Sequence, residues 1–300
     1  MIKWGLIALW IASITYVYFR GRIRVSFLRT VLDHSAVLAP VNVFMYLFSA
    51  VPARPFIPVE HLAGLRALDD NWETIRDEAK RLHDAQQIRA AEKNNDAGFN
   101  SFFKTGWKRF YLKWYEAEHP SAAQLCPQTV RILHDIPQVK AAMFAVLPPG
   151  GKLNPHRDPF AGSLRYHLGL ATPNDDRCFI EVDGERYSWR DGKSVVFDET
   201  YIHWAENTSD QTRIILFCDL ERPLRFSWAS RFNRWFSRIF MTLASSPNQD
   251  GDQTGFINRL FFIAWKIGQY RRRLKRWNRT VYQGVRVALA IAILALIVYI

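Results

Sequence analysis

The sequence predicts a mainly β domain, a sandwich or barrel of short strands, with flanking helices and apolar segments at both ends of the chain. From about residue 140, short apolar stretches recur between Gly, Pro, Asp and Asn residues, which is the spacing of strands and turns. Residues 62–82 instead place apolar side chains three and four positions apart, as amphipathic helices do. Uncharged apolar runs lie near each terminus.

The first apolar run, residues 4–19, carries no charge and is followed directly by RGRIR. As a helix it would be about 24 Å long, slightly less than the hydrocarbon core of a bilayer. Arginines stand where a signal peptide would be cleaved, so we expect an uncleaved anchor. A second run, residues 36–52, contains Pro40 and Asn42 and fits a return across the bilayer, a re-entrant segment or an interfacial one. For each run, a buried core helix is the alternative.

A further anchor is expected at residues 287–300, which are apolar and follow a segment, 271–279, with six basic residues. Basic residues also follow the first run, at Arg20, Arg22, Arg24 and Arg29. By the positive-inside rule, both clusters face the cytoplasm. The region between them is therefore expected on the cytoplasmic side of a bacterial inner membrane, with an anionic phospholipid surface as partner.

Between these ends, prolines in residues 52–58 mark a linker, and one or two amphipathic helices are expected over 59–85. Residues 94–137 are irregular and aromatic and predict no definite element. Asp183-Gly184 predicts a tight hairpin, and Asp191-Gly192 predicts another turn. The expected strands are AAMFAVL, LRYHLGLA, CFIEV, ERYSW, SVVFD and TRIILFCDL. The expected regions are a membrane-anchor region over 1–58, a catalytic domain over 59–228, and a basic amphipathic segment with a C-terminal anchor over 229–300.

Composition and the absence of certain sequence motifs argue against nucleic-acid binding, a disulfide framework and a zinc site. The chain of 300 residues is 49% apolar, enough for a substantial core, and its 40 basic and 28 acidic residues give a net charge of +12. No zinc finger, RNA-binding strand motif or nucleotide-binding loop occurs, so no nucleic acid is expected. The cysteines are odd in number and far apart, which predicts neither a disulfide framework nor a zinc site.

The chemistry is concentrated in NPHRDPFAGSLRYHLGL, residues 154–170. His156 and Asp158 are two residues apart, so on an extended segment their side chains project to the same side, although a solvated surface pair is the alternative. His203 lies 47 residues downstream, and Arg213 follows it by ten. Two imidazoles and a carboxylate on one side of a metal leave coordination positions open, as non-haem Fe(II) oxygenases require. An arginine offers a bidentate grip on a carboxylate.

Five stretches give the chain a resemblance to the aspartyl/asparaginyl beta-hydroxylase family over roughly residues 100–225. They are GWKRFYLKW (106–114), CPQT (126–129), HRDPFAGSLRYHLGL (156–170), GKSVVFDETYIHWAEN (192–207) and TRIILFCDLERP (212–223). The resemblance implies a double-stranded β-helix (jelly-roll) core and a dioxygenase that uses Fe(II), 2-oxoglutarate and O2. Among family members, a chain with hydrophobic ends is similar to bacterial lipid A 2-hydroxylases, which act on a secondary acyl chain of lipid A.

The resemblance also implies roles for individual residues. The implied iron ligands are His156, Asp158 and His203, and the implied 2-oxoglutarate contacts are Arg213, Arg165 and His167. Animal members of the family have Gly in place of Asp158 and Ser in place of Ala145. The triad is therefore complete here, while the co-substrate pocket differs in detail. Asn207 is a candidate to orient His203, with a role in a turn as the alternative.

We therefore expect hydroxylation at carbon 2 of a secondary acyl chain of lipid A. Within the same chemistry, the alternatives are another lipid, such as an ornithine lipid, and Asp or Asn side chains of a protein. Outside enzymes, the alternative is a ligand-sensing β-helix module at the membrane. A complete triad together with Arg213 argues against a sensor, which needs no grip on a co-substrate. No obligate protein partner is expected.

Overall fold

The computed structural model describes residues 2–32, 34–59, 62, 64–91, 95–278 and 280–282. Its strands are β1 (Phe56–Ile57), β2 (Lys108–Trp114), β3 (Val139–Leu147), β4 (Lys152–His156), β5 (Ser163–Ala171), β6 (Cys178–Val182), β7 (Glu185–Ser188), β8 (Ser194–Phe197), β9 (His203–Asn207) and β10 (Arg213–Glu221). Its helices are α1 (Ile2–Phe19), α2 (Phe27–Leu32), α3 (His34–Val37), α4 (Ala39–Leu47), α5 (Arg66–Asp70), α6 (Trp72–Asp84), α7 (Asn100–Phe103), α8 (Pro120–Leu125), α9 (Pro127–His134), α10 (Ser227–Thr242) and α11 (Phe256–Trp277).

The strands form two antiparallel sheets that share a core. The larger sheet has the order β1-β8-β5-β10-β3-β2, and the smaller has the order β4-β9-β6-β7. Side chains of both pack together, including Met143 and Phe217 from the larger sheet and Ile180 and Ala205 from the smaller. Helices α5, α6 and α9 cover the outer side of the larger sheet. This mainly β, two-layer arrangement is consistent with the expected jelly-roll core.

The strands and turns expected from sequence patterns are confirmed. The six stretches named above form β3, β5, β6, β7, β8 and β10, and the predicted helical region forms α5 and α6. In the hairpin between β6 and β7, Val182 pairs with Glu185. Asp183 and Gly184 both have positive φ, 51° and 88°, which a two-residue turn of this kind requires. Strands β1, β2, β4 and β9 were not predicted from the sequence patterns.

The N-terminal segment differs from the expected anchor. No helix in the described part of the chain combines the length and apolar character needed to cross a membrane. Arg20 was expected on the basic flank of an anchor, but its side chain is only 7% exposed, and its Nη2 donates to Asp198 Oδ2 at 2.6 Å. Its guanidinium also lies 4.0 Å from the ring centroids of Tyr46 and Tyr201. The end of α1 is therefore fixed to the loop that precedes β9.

The second apolar run packs on the segment that follows β4. Asn42 of α4 donates to Pro159 O and accepts from Ala161 N, each at 2.8 Å. Residues 36–52 thus lie against the β domain, as the core-helix alternative predicts, while Val37 and Leu47 remain 63% exposed. Strand β1 pairs with β8, so the larger sheet begins before the domain boundary expected after residue 58. The anchor expected at residues 287–300 lies outside the described residues.

Candidate functional site

Three side chains that could hold a metal ion meet at one end of the smaller sheet. His156 ends β4 and pairs across the sheet with His203, the first residue of β9, with ring centroids 4.2 Å apart. Asp158 follows β4, and its backbone N donates to Glu199 O at 2.9 Å. One ligand atom from each of the three side chains lies within 4.8 Å of the other two. The structure thus brings together the triad predicted from the sequence.

Backbone hydrogen bonds fix the orientation of both imidazoles. His156 Nδ1 lies 2.7 Å from Asn154 O, and His203 Nδ1 lies 3.0 Å from Tyr201 O. Because a carbonyl oxygen only accepts, each Nδ1 carries the proton, and Nε2 is the nitrogen left to coordinate a metal. Burial, together with neighbouring His156, lowers the pKa of His203 to about 3. His203 is therefore neutral, as a metal ligand must be.

Asp158 is held in place by Arg165 of β5. Arg165 Nη2 donates to Asp158 Oδ2 at 2.7 Å, whereas Oδ1 lies 3.7 Å from His156 Nε2. Burial opposes ionisation of Asp158, but Arg165 and the two histidines offset it and bring its pKa to about 2. Asp158 is thus a carboxylate with one oxygen oriented by Arg165 and the other turned toward the histidines.

Two more acids surround the same guanidinium. Arg165 Nε donates to Asp219 Oδ1 at 3.0 Å, and Arg165 Nη2 contacts Glu199. Burial raises the pKa of Asp219 and raises that of Glu199 well above its usual range. Since one cation cannot balance three buried carboxylates, retained protons keep the cluster close to neutral. Nε and Nη2 of Arg165 thus contact the protein's own acids, and the expected contact of Arg165 with 2-oxoglutarate stays a prediction.

Arg213, the first residue of β10, has the opposite environment. It is 1% exposed, and its guanidinium lies 4.4 Å from the ring centroid of Trp189. Its Nε and Nη2 have no hydrogen-bond partner among the described residues. Burial lowers the pKa of Arg213 to about 10, so the group remains charged at neutral pH. A buried cation without an anion is costly, and a bound carboxylate would remove that cost.

His167 and Trp189 add unsatisfied polar atoms to the same place. Both ring nitrogens of His167 and Nε1 of Trp189 lack hydrogen-bond partners within the described part of the chain. Burial, together with Arg165 and Arg213, lowers the pKa of His167 well below its usual range, so the imidazole is neutral. A neutral imidazole can donate one hydrogen bond and accept another. Since buried polar groups are nearly always paired, this group of atoms indicates a binding site for a polar ligand.

One cavity joins the triad to these atoms. The residues that line it include His156, Asp158, His203, His167, Arg165 and Arg213. Much of the remaining wall is aromatic or aliphatic, including Phe99, Phe102, Trp107, Leu153, Ile180 and Trp204. The ring of Phe102 lies 4.7 Å from that of His156. An apolar surface therefore reaches the metal ligands.

Sequence reasoning missed several contributors to the site. Glu199, Asp219 and Trp189 were not predicted, although an acid inside the apolar strand FCDL is a signal for a buried polar contact. Asn207 has the alternative role in a turn: its Nδ2 donates to Leu147 O at 3.0 Å and to Gln211 O at 2.8 Å. Ala145 lies on β3 opposite Ile215, which lines the cavity.

Comparisons with known proteins agree with the geometry. A model of the family described as Aspartyl/Asparaginyl beta-hydroxylase matches residues 69–223. An ornithine lipid ester-linked acyl 2-hydroxylase of Rhizobium tropici is 39% identical over 132 residues, which are 44% of this chain and 46% of that protein. The aspartyl/asparaginyl beta-hydroxylase of Homo sapiens is 27% identical over 165 residues, 53% of this chain and 21% of that one. The matched region thus spans less than half the length of either relative.

Among solved structures, a prolyl-4-hydroxylase of Pseudomonas putida is 16% identical with a TM-score of 0.37. That match covers 63% of this chain and 99% of the other.

Proposed function

The chain belongs to the aspartyl/asparaginyl beta-hydroxylase family, and from this premise we propose that it is an Fe(II)- and 2-oxoglutarate-dependent dioxygenase that hydroxylates an acyl chain of a membrane lipid. One observation carries the proposal: a metal-ligand triad and a buried guanidinium without an anion line the same cavity. A metal centre alone would also fit a sensor. The unpaired Arg213 calls for an anionic ligand beside that metal, as 2-oxoglutarate is.

Each group of this chain has a defined task in the proposed reaction. His156, Asp158 and His203 would hold the iron, which when bound would supply O2 activation coupled to 2-oxoglutarate decarboxylation, a chemistry that no side chain can perform. Arg213 binds the distal carboxylate of 2-oxoglutarate through its planar fork. His167 and Trp189 offer further hydrogen bonds in the same pocket. The aromatic walls exclude water from the reacting groups.

The walls of the cavity favour a lipid substrate over an aspartyl or asparaginyl side chain. Phe99, Phe102 and Trp107 suit the methylene groups of an acyl chain. A substrate carboxylate would need a cation of its own. Among the described lining residues the arginines are Arg165, already engaged by three acids, and Arg213, reserved for the co-substrate. The position of hydroxylation, carbon 2, rests on the resemblance and on the relative named as an acyl 2-hydroxylase.

Two lipids are candidates for the substrate. Lipid A, on a secondary acyl chain, follows from the resemblance of the whole chain, with its hydrophobic ends, to lipid A 2-hydroxylases. An ornithine lipid is the second candidate, which the 39% identical relative named for ornithine lipids favours. Both place the enzyme at a membrane. We place it at the bacterial inner membrane with the catalytic region on the cytoplasmic side, where the exposed Arg22, Arg24 and Arg29 would face anionic phospholipid headgroups.

The test is to supply the Fe(II)-loaded full chain with 2-oxoglutarate and O2, and with lipid A, an ornithine lipid or an Asp-containing peptide in separate reactions. Mass spectrometry of the products should show one added oxygen atom on an acyl chain of one of the lipids, and fragmentation should place it at carbon 2. Hydroxylation of the peptide with both lipids unchanged would contradict the proposal.

A cysteine introduced at an exposed catalytic-domain position should resist impermeant thiol reagents in intact cells, and rapid labelling would reverse the assigned orientation.

A further inference from the structure

A solvent-exposed apolar stripe runs along α11. Large apolar side chains recur every four and three residues, so they lie on one side of the helix: Phe256, Leu260, Ile263, Ile267 and Tyr270. Their exposed fractions range from 47% for Leu260 to 68% for Tyr270. At 1.5 Å per residue the helix is about 33 Å long. An apolar stripe of this extent facing water marks an interaction surface.

The body of the protein holds α11 by its opposite side. Asn258, which is 1% exposed, donates through Nδ2 to Ala244 O at 2.8 Å and to Ser245 O at 2.7 Å. Its Oδ1 accepts from Ala97 N at 2.8 Å. On a helical wheel, Asn258 lies roughly 160° from Phe256 and from Leu260, at about 100° per residue. The attachment therefore turns the stripe outward.

Charge identifies the occupant of this surface. All seven charged residues of Phe256–Trp277 are basic, and Arg259, Lys266 and Arg273 follow one edge of the stripe. These three are exposed and make no ion pair within the described residues. The spacing of the stripe would also suit a coiled coil with a second copy, but these cations would then face those of the partner helix and repel them. An anionic phospholipid surface offers acyl chains to the apolar stripe and phosphates to its basic edge.

We propose that α11 lies in the headgroup region of an anionic phospholipid bilayer, with the stripe toward the acyl chains and the basic edge toward the phosphates. Amphipathic helices with Lys and Arg on the polar side bind membranes in this way, parallel to the surface. The inference rests on the proposed function, in that the substrate is a membrane lipid. It adds the element that makes contact and the mode of contact.

The first experiment measures the polarity around individual positions of α11. The native cysteines, Cys126, Cys178 and Cys218, are buried, so a thiol-reactive, polarity-sensitive fluorophore will label a cysteine introduced at an exposed position. In the full chain, Ile267→Cys places the label on the stripe, and Arg276→Cys places it on the far side as the matched control. Vesicles containing phosphatidylglycerol should shift the emission at position 267 to the blue and leave position 276 nearly unchanged. Phosphatidylcholine vesicles should have little effect, and salt should weaken the shift.

Equal shifts at both positions, or no shift at position 267, would overturn the inference. A shift at position 267 without vesicles that grows with protein concentration would instead assign the stripe to a second copy. Vesicle binding without a shift at position 267 would assign the contact to another part of the chain.

A second experiment separates this inference from the proposed chemistry. The double variant Ile263→Ser/Ile267→Ser should bind anionic vesicles at least about tenfold more weakly than the Ile263→Leu/Ile267→Leu control, which keeps the apolar area. Both should consume 2-oxoglutarate at the same rate without lipid, since none of the described side chains of α11 lines the cavity. Unaltered vesicle affinity in the serine variant would remove α11 from the membrane contact. Normal vesicle binding by a chain that hydroxylates no lipid would refute the proposed function alone.

Discussion

Arg165 and Arg213 line the same cavity, yet their surroundings are opposite. Arg165 is held by Asp158, Glu199 and Asp219, which contact its Nε and Nη2 without any ligand present. Arg213 is also buried and has an aromatic ring beside it, but no acid of the described residues forms an ion pair with it. Sequence position does not reveal this contrast, because both arginines lie on strands of the larger sheet. The paired guanidinium orients a metal ligand, and the unpaired one is available to bind.

The difference shows how the fold separates support from recognition. A buried polar network whose members are paired with each other is rigid and fixes geometry. A buried charge without a partner raises the free energy of the folded protein, and binding of an anion lowers it again. The part of the cavity around Arg165 therefore supports the metal ligands. The part around Arg213, His167 and Trp189 is available to bind a polar ligand.

The largest expected effect concerns the metal ligands. We expect His156→Ala or His203→Ala to abolish Fe(II)-dependent consumption of 2-oxoglutarate, because two ligands leave the ion weakly held. His134→Ala, on the exposed side of α9, is the matched control and should retain full turnover. Turnover and iron content of the three purified variants give the answer. Normal iron-dependent turnover in either ligand variant would refute the triad.

The next prediction contrasts the two arginines in stability. Arg165→Met leaves three buried acids without their cation and should lower the free energy of unfolding by about 3 to 5 kcal/mol. Arg213→Met removes a charge that has no partner, so without co-substrate the change should stay within about 1 kcal/mol and can be a gain. Denaturant unfolding of both variants measures the difference. Similar losses in the two would mean that Arg213 has a structural partner after all.

A smaller effect is expected where the N-terminal segment meets the site. Arg20→Met removes one of the two cations on Asp198, which also accepts from Arg222 Nη2 at 2.8 Å. Because Arg222 remains, the free energy of unfolding should fall by about 2 to 3 kcal/mol, less than the ~3 to 5 kcal/mol of a buried pair that loses its only cation. Arg22→Met, two residues on and exposed, should change stability by less than about 0.5 kcal/mol. Thermal unfolding of both variants checks this, and equal melting temperatures would place Arg20 outside the fold's essential contacts.

How much the sequence predicts depends on how local each signal is. Strands β3, β5 and β10 are predictable because apolar residues run almost unbroken between turn residues. Strand β4, which carries His156, gives no such signal: KLNPH contains a proline and is largely exposed. The triad was still predicted, because the HxD pair and the distant histidine form a recognisable set whatever the strand boundaries are.

Long-range polar contacts were beyond sequence reasoning. Arg165 meets Asp219 across 54 residues, and Arg20 meets Asp198 across 178. Nothing local distinguishes Arg20 from its neighbours Arg22 and Arg24, so all three suggested the flank of an anchor. Arg213 is the reverse case: its role as an anion receptor followed from the resemblance, and the structure adds that no acid among the described residues pairs with it.

The most direct test of the account is the affinity of the protein for 2-oxoglutarate and for 2-oxopentanoate, which lacks the distal carboxylate, measured by calorimetry with Mn(II) in place of iron to prevent turnover. If Arg213 binds that carboxylate, the wild-type protein should prefer 2-oxoglutarate by at least about thirtyfold, equivalent to ~2 to 5 kcal/mol for a desolvated charge pair. Arg213→Lys should keep part of this preference, since the charge remains and the fork is lost. In Arg213→Met the preference should fall below about threefold. A preference that survives in Arg213→Met would show that another group binds the distal carboxylate and would contradict the account.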